Sequence, residues 1–341
     1  MFVKIICAIA LLLVSTGADS ASLTRFRDVR PAMGSAFEIV LYAPDAETAE
    51  RAFDAAHRRI QELNLVFSDY DPESEARRLC RLAPMDQPVP ISSEMTHVLQ
   101  YSLAISEKTE GAFDVTIGPL SRLWRRARRT GELPSDERLE AARAAVGYQH
   151  VQLDVENRQV RLTASNMRLD FGAIAKGYAA DQALAVLKSM GVGRALVNGG
   201  GDLTLGDPPP DADGWRVAVA PLEAETRPTC VLFLSNGSVA TSGDAWQFVE
   251  VDGVRYSHIV DARTGLGIER RNSVTVLASD GMVADALASA VSLLGPQKGL
   301  ALIETMPDVE CQITVTGPDG VQVHRSTRFP APIEATADPV P

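Results

Sequence analysis

The sequence is poor in cysteine: Cys7, Cys80, Cys230 and Cys311 are the four in 341 residues, and no two share a CxxC spacing. Zinc sites and disulfide frameworks require clustered thiols, so neither is expected; a single disulfide among the later three is left open. Positive charge is also scarce, with 33 Lys and Arg against 44 Asp and Glu and a net charge of −11. Affinity for phosphate backbones depends on clustered cations, so general nucleic-acid binding is excluded. Neither the GxxxxGK[ST] of a P-loop nor the GxGxxG of a dinucleotide-binding unit occurs.

What remains is ample for a folded enzyme-sized domain, since 45% of the residues are apolar. The first 21 residues have the layout of a secretory signal peptide. Lys4 gives the positive start, Ile5 to Val14 form an apolar run, and Ser15 to Ala21 are small or polar. That run is well short of the roughly 20 residues that span a bilayer, so cleavage and export are expected, with no transmembrane anchor in the mature chain. Residues 22–326 are expected to form one domain. From 327 to 341 the composition turns to Pro, Ala and Thr without periodicity, which predicts a disordered tail.

Between these ends the pattern alternates between the two regular periods. AFEIVLYA from Ala36 reads as a strand and Asp45 to Phe67 as a long helix. Further helices are expected at Glu94–Thr109, from Ser135 to about Ala145, at Lys176–Met190, and at Met282–Leu294, the last closed by Gly295 and Pro296 and followed by a second short helix. VQLDVENRQVRLT from Val151 predicts a hairpin, and strands are expected near 194–197, 215–220, 231–234, 247–251, 273–278, 312–315 and 321–324. Hairpins mixed with helices point to an α+β fold with mixed or antiparallel sheets and packed helices, not a Rossmann arrangement.

Several clusters interrupt the well-patterned elements. DFGAIAKGYAAD, Asp170 to Asp181, sets glycines around Lys176 where a strand gives way to a helix, which suits either an ordinary turn or a backbone approach to phosphate. NGGGD, Asn198 to Asp202, marks a tight turn or a close ligand contact. ATSGD from Ala240 and RYSHIVDARTG from Arg255 surround His258 with hydroxyls and carboxylates, the neighbours that orient a general base. In VADALASAV, Asp285 and Ser289 lie four apart on one helical face. Either that face meets solvent or the pair holds a hard cation such as Mg²⁺, which takes a few oxygen ligands and completes its shell with phosphate and water. Arg122, Arg125, Arg126, Arg128 and Arg129 crowd one stretch, as a solvated face or as a site for an anion or partner.

Taken in order, PAMGSAFEI at Pro31, FSDYDPESEARRL at Phe67, GAFDVTIGPLSRLW at Gly111, DFGAIAKGYAAD, LVNGGGDLTLG at Leu196, ATSGD, YSHIVDARTG at Tyr256 and ADALASA at Ala284 resemble the ApbE family of FAD:protein FMN transferases, from about Arg30 to Ile303. The resemblance implies that FAD is the substrate, held near Met33, Tyr70, Asp114 and Thr116, with Lys176, Gly200, Asp202 and His258 also lining the flavin pocket. It implies Mg²⁺ on Asp285, Ser289 and the carbonyl of Ala173. His258, helped by Asp261, would be the catalytic base that takes the proton from a Thr or Ser hydroxyl of an acceptor protein, with AMP released. The periplasm is the location implied. Two other activities share the same residues: hydrolysis of FAD to FMN and AMP, and FAD binding without chemistry. The chain departs from the family pattern in having Ser289 where Thr is usual, Cys80 where Asn is frequent, and the Arg stretch where Gly and Phe follow the Leu-Trp pair.

Overall fold

The computed structural model describes residues 22–222, 230–244, 247–317 and 320–334. The expected leader, 1–21, and the end of the tail, 335–341, lie outside the described residues. A hairpin comes first, with β1 (Thr24–Ala32) and β2 (Ser35–Ala43) paired antiparallel down to Ala32↔Ser35. The two residues between them, Met33 and Gly34, both have positive φ, 51° and 71°, the tight turn whose twist matches paired strands. The Asp45 carboxylate then caps α1 (Ala46–Phe67), accepting from the Thr48 amide at 2.7 Å.

The chain continues through α2 (Glu75–Leu82), β3 (Val89–Pro90), α3 (Ser93–Lys108), α4 (Gly118–Thr130) and α5 (Asp136–Arg143). Next come β4 (Val151–Asp154) and β5 (Gln159–Leu162), the expected hairpin, and α6 (Ala175–Ser189). β6 (Ala195–Gly199) and β7 (Asp202–Leu205) form another hairpin, followed by β8 (Trp215–Ala218), β9 (Cys230–Leu234) and β10 (Gly237–Gly243). The rest is β11 (Phe248–Val251), β12 (Val254–Ser257), β13 (Asn272–Ala278), α7 (Gly281–Glu304), β14 (Glu310–Gly317), β15 (Gly320–Arg325) and β16 (Ile333–Glu334). As expected, α7 breaks at Gly295, whose φ of 78° and ψ of 178° leave the helical region just before Pro296.

The strands confirm the α+β reading. One eight-stranded sheet runs β1-β2-β6-β7-β10-β13-β14-β15, with every neighbouring pair antiparallel. Alternation along β2 sorts its two faces. Phe37, Ile39 and Leu41 join Ala52, Ala56 and Ile60 of α1, together with α6 and α7, in the main core. Val40 points the other way, into a smaller core with Trp215, Val217, Leu232 and Phe329 beneath the β16-β9-β8 sheet. α7 is long and apolar enough to cross a membrane, but here it is the central core helix, packed on α6, β10, β13 and β14. A third cluster ties α4 to the β11–β12 hairpin through Leu120, Trp124, Val249 and Val260.

One expectation is corrected. The tail does not begin at residue 327, because the Thr327 amide donates to Glu304 at 2.7 Å, Phe329 is buried, and Ile333 pairs with Val231. Apolar side chains and an open edge on β9 draw in a segment whose proline content suggested disorder. The Arg stretch is helix α4, its apolar face hidden among charges. Cys80, Cys230 and Cys311 are all free thiols.

Candidate active site

Two tight hairpins, one helix crossing and the β12 loop converge on a cavity of about 1340 Å³. At the NGGGD turn, Gly199 pairs with Asp202, and Gly200 and Gly201 between them have φ of 71° and 107°. A Cβ on Gly200 would sit 2.2 Å from the Ser35 hydroxyl, so this tip lies directly against the Met33–Gly34 hairpin. The glycines therefore serve the turn and the close approach of two hairpins. Met33, Gly200 and Asp202 all face the cavity.

Gly177 of the Lys176 segment, where the sequence left an ordinary turn or a phosphate approach open, answers a third demand. A Cβ on Gly177 would lie 2.0 Å from the Gly281 carbonyl oxygen, so α6 and α7 touch backbone to backbone there. That contact lets the Gly177 amide donate to Asp285 at 3.1 Å. Asp181, one turn on, accepts from the Gly281 and Met282 amides at 2.6 and 2.9 Å and fixes the start of α7. We expect Gly177→Ala to cost ~2 kcal/mol or more, since backbone atoms must separate to admit the methyl group, visible as a lower Tm in thermal unfolding.

Lys176 and Asp202 form an ion pair on the cavity floor. Burial alone would lower the Lys176 pKa, but the Asp285 and Asp202 carboxylates outweigh it and hold the ammonium charged. Asp285 is 5% exposed. Burial pushes its carboxyl well above the ordinary range, with the Lys176 charge opposing. One turn along, the Ser289 hydroxyl meets that of Ser242 on β10 at 3.0 Å. Ala173, Thr241 and Ser242 line the same cavity. No group of three or more His, Cys, Asp or Glu side chains forms a metal cluster among the described residues. One undercompensated carboxylate among hydroxyl oxygens fits a hard cation that leaves most of its shell to phosphate and water.

His258 follows β12 and opens into the cavity. Its Nδ1 lies 3.1 Å from the Gln247 carbonyl, which can only accept, so Nδ1 carries the proton and Nε2 keeps its lone pair. The surrounding protein, then Arg128 and Lys176, hold its pKa below the usual histidine value, so the ring is neutral near pH 7. The loop is anchored by α4: Trp124 Nε1 donates to the Gly265 carbonyl at 2.8 Å, and Arg128 donates to the Gln247 side chain at 2.6 Å.

Asp261 is not the partner of His258 that the sequence suggested. Its carboxylate closes a local turn by accepting from the Arg263 amide at 2.9 Å and from the Arg263 guanidinium at 2.7 Å. The carboxylate that acts on His258 through its field is Asp244, which is buried and bound by Arg255 at 2.9 Å and by the Asn272 amide at 3.2 Å. Its signal in the sequence was the last letter of ATSGD. Thr116 is likewise removed from the pocket: its hydroxyl donates to Asp114 at 2.7 Å and accepts from the Gly147 amide at 2.8 Å. Asp114 itself faces the cavity, held also by the Tyr148 amide at 2.7 Å, and burial raises its pKa.

Tyr70 is 74% exposed at the rim. The Arg125 guanidinium stacks 4.7 Å above its ring and bridges Asp69 and Asp170. Arg125 thus belongs to the cavity wall, a role hidden in the sequence by its like-charged neighbours.

Comparison with known proteins gives a consistent picture. Residues 33–313 match the model of the ApbE family. A FAD:protein FMN transferase of Vibrio cholerae is 32% identical over 88% of this chain and 90% of its own length. One of Escherichia coli is 30% identical over 87% of this chain and 86% of its own. The solved structure of the flavin transferase ApbE from Vibrio cholerae superposes with a TM-score of 0.81 at 30% identity, covering 90% of this chain and 98% of that one.

Proposed function

This chain belongs to the ApbE family, and from that premise we propose that it is a Mg²⁺-dependent FAD:protein FMN transferase, moving FMN from FAD to a Thr or Ser hydroxyl of an acceptor protein and releasing AMP. The observation that carries the reading is that one cavity is lined both by a neutral imidazole with a free Nε2 and by the Lys176–Asp202–Asp285 group. Mg²⁺, when bound by Asp285, Ser289 and the Ala173 carbonyl, supplies charge stabilisation for the pyrophosphate oxygens and the leaving phosphate.

The chain's own residues do the rest. Exposed Tyr70, braced by Arg125, offers a face on which a flat ring can stack at the mouth. Lys176 contributes a permanent positive charge for the pyrophosphate. His258 Nε2 accepts the acceptor hydroxyl proton as that oxygen bonds to the FMN phosphorus. The bond from that phosphorus to the AMP oxygen breaks, and AMP departs with the electron pair. No electrons pass to or from the flavin. The layout of residues 1–21 supports action in the periplasm after export.

Incubating the chain with FAD, Mg²⁺ and Thr-bearing peptides is expected to yield peptide heavier by one FMN, read by mass spectrometry, together with AMP. Release of free FMN and AMP at the same rate with or without peptide would instead establish a hydrolase.

A further inference from the structure

A second groove, of about 820 Å³, runs along the other flank of α4. Arg122, Arg126 and Arg129 recur at i, i+4 and i+7 on that flank, opposite the buried Leu120, Trp124 and Ala127. Arg138 of α5, Arg77 and Arg168 complete its cationic lining, and Gly118, Ala141, Ala142 and Ala145 make up a small-residue surface between them.

Among the described residues, no ion pair involves any of these six arginines, in contrast to Arg125 with its two aspartates. Arg77 Nε is buried without a hydrogen-bond partner. Burial, and then the charges of Arg77 and Arg122, hold Arg168 below the usual arginine range. On a chain of net charge −11, this is a concentrated block of uncompensated cation. Guanidinium forks are matched by carboxylates, and small side chains leave room for a backbone to lie close.

The groove continues into the cavity, since Asp69, Tyr70 and Arg125 border both. From Arg122 to Arg129 the helix rises roughly 10 Å, the length of about three residues of extended chain. One small anion would engage only a few of the guanidinium groups, whereas an extended acidic segment can meet them in turn. We propose that this groove docks an acidic, extended stretch of the flavin acceptor and so feeds its hydroxyl past Tyr70 toward His258. The inference rests on the transferase reading for its partner, but the docking itself can be measured apart from transfer.

The test uses the full chain and its Arg122→Gln, Arg126→Gln, Arg129→Gln triple variant. The probes are two fluorescent peptides with one Thr, flanked by three Asp in the first and three Asn in the second. Anisotropy without FAD is expected to show the wild type binding the Asp peptide about tenfold more tightly than the Asn peptide at low salt. The preference should shrink with added NaCl and vanish in the variant. With FAD and Mg²⁺, the variant should lose the same factor in kcat/KM for the Asp peptide, through KM, and keep the wild-type rate on the Asn peptide. Equal binding of both peptides by the wild type would overturn the proposal, as would equal slowing on both in the variant. Arginine-dependent binding of phosphatidylglycerol vesicles with no peptide preference would overturn it in favour of a membrane surface. If no peptide gains FMN while the Asp preference persists, the transferase reading fails and the docking groove stands.

Discussion

Asparagine at position 258 should slow FMN transfer by about two to four orders of magnitude, the usual contribution of a positioned general base. The substitution is chosen for what it keeps. An asparagine amide can still donate to the Gln247 carbonyl that now holds Nδ1, so the loop anchored by Trp124 and Arg128 has no reason to move. It lacks a group able to take a proton at neutral pH. The loss should fall on kcat, with FAD affinity nearly unchanged by equilibrium titration, because the proposed partner of the pyrophosphate charge is Lys176, which the substitution leaves in place. The pH profile gives an independent check. A base works when deprotonated, so activity falls as pH drops through its pKa. Desolvation by the surrounding protein and two nearby cations lower that pKa, so the acid limb of kcat/KM should lie below the ordinary histidine value of about 6.5 and be absent from the residual activity of the variant. An unchanged rate in His258→Asn would remove the residue from the chemistry.

The parts of this molecule that were legible in the sequence are those whose residues answer to one local demand. α1 shows a 3.6-residue apolar period behind an Asp cap, and the break in α7 is announced by Gly295 and Pro296. β1 was illegible because it is an edge strand. Arg27 pairs with Glu38 on its open face and Arg30 with Asp54 of α1 on the other, so TRFRDVRPA carries little apolar alternation. α4 was hidden by its five arginines, whose apolar counterparts Leu120, Trp124 and Ala127 are outnumbered. The site was legible as a set of segments but not always in the work each residue does. Gly177 resembles a phosphate-loop glycine, yet the demand it answers is a helix crossing with Gly281, distant in sequence. Asp261 lies three residues from His258, and proximity along the chain suggested a pair. The backbone turn points its carboxylate at Arg263 instead, and the carboxylate whose field does reach His258 is Asp244, which precedes β11 where His258 follows β12. Such pairings are decided by which strands become neighbours, and no local pattern records that.

The floor of the cavity makes a prediction with two opposite signs. It holds one cation, Lys176, and two carboxylates, Asp202 and Asp285, so with both carboxylates ionised it carries net negative charge before a pyrophosphate arrives. An anionic substrate entering such a floor needs a further cation, and Asp285 is the carboxylate whose one direct hydrogen bond is the Gly177 amide, while Lys176, which acts on it through its field, is already bound to Asp202. Asp285→Asn should therefore lower Mg²⁺-dependent transfer by about a thousandfold or more, the equivalent of several kcal/mol of lost charge stabilisation. Stability without metal should move the other way. A carboxyl whose folded pKa is raised binds more protons folded than unfolded, so stability falls as pH rises from the unfolded value toward the folded one, and the cost persists above it. Asparagine carries no such cost, and Lys176 keeps Asp202 as its partner. At pH 8 without Mg²⁺ the variant should unfold at the same temperature as the wild type or higher. Added Mg²⁺ and FAD should raise the wild-type Tm and leave that of the variant nearly still. A variant that is both inactive and markedly less stable without metal would mean that Asp285 holds the α6–α7 crossing together, and would transfer the metal role to other oxygens of the cavity.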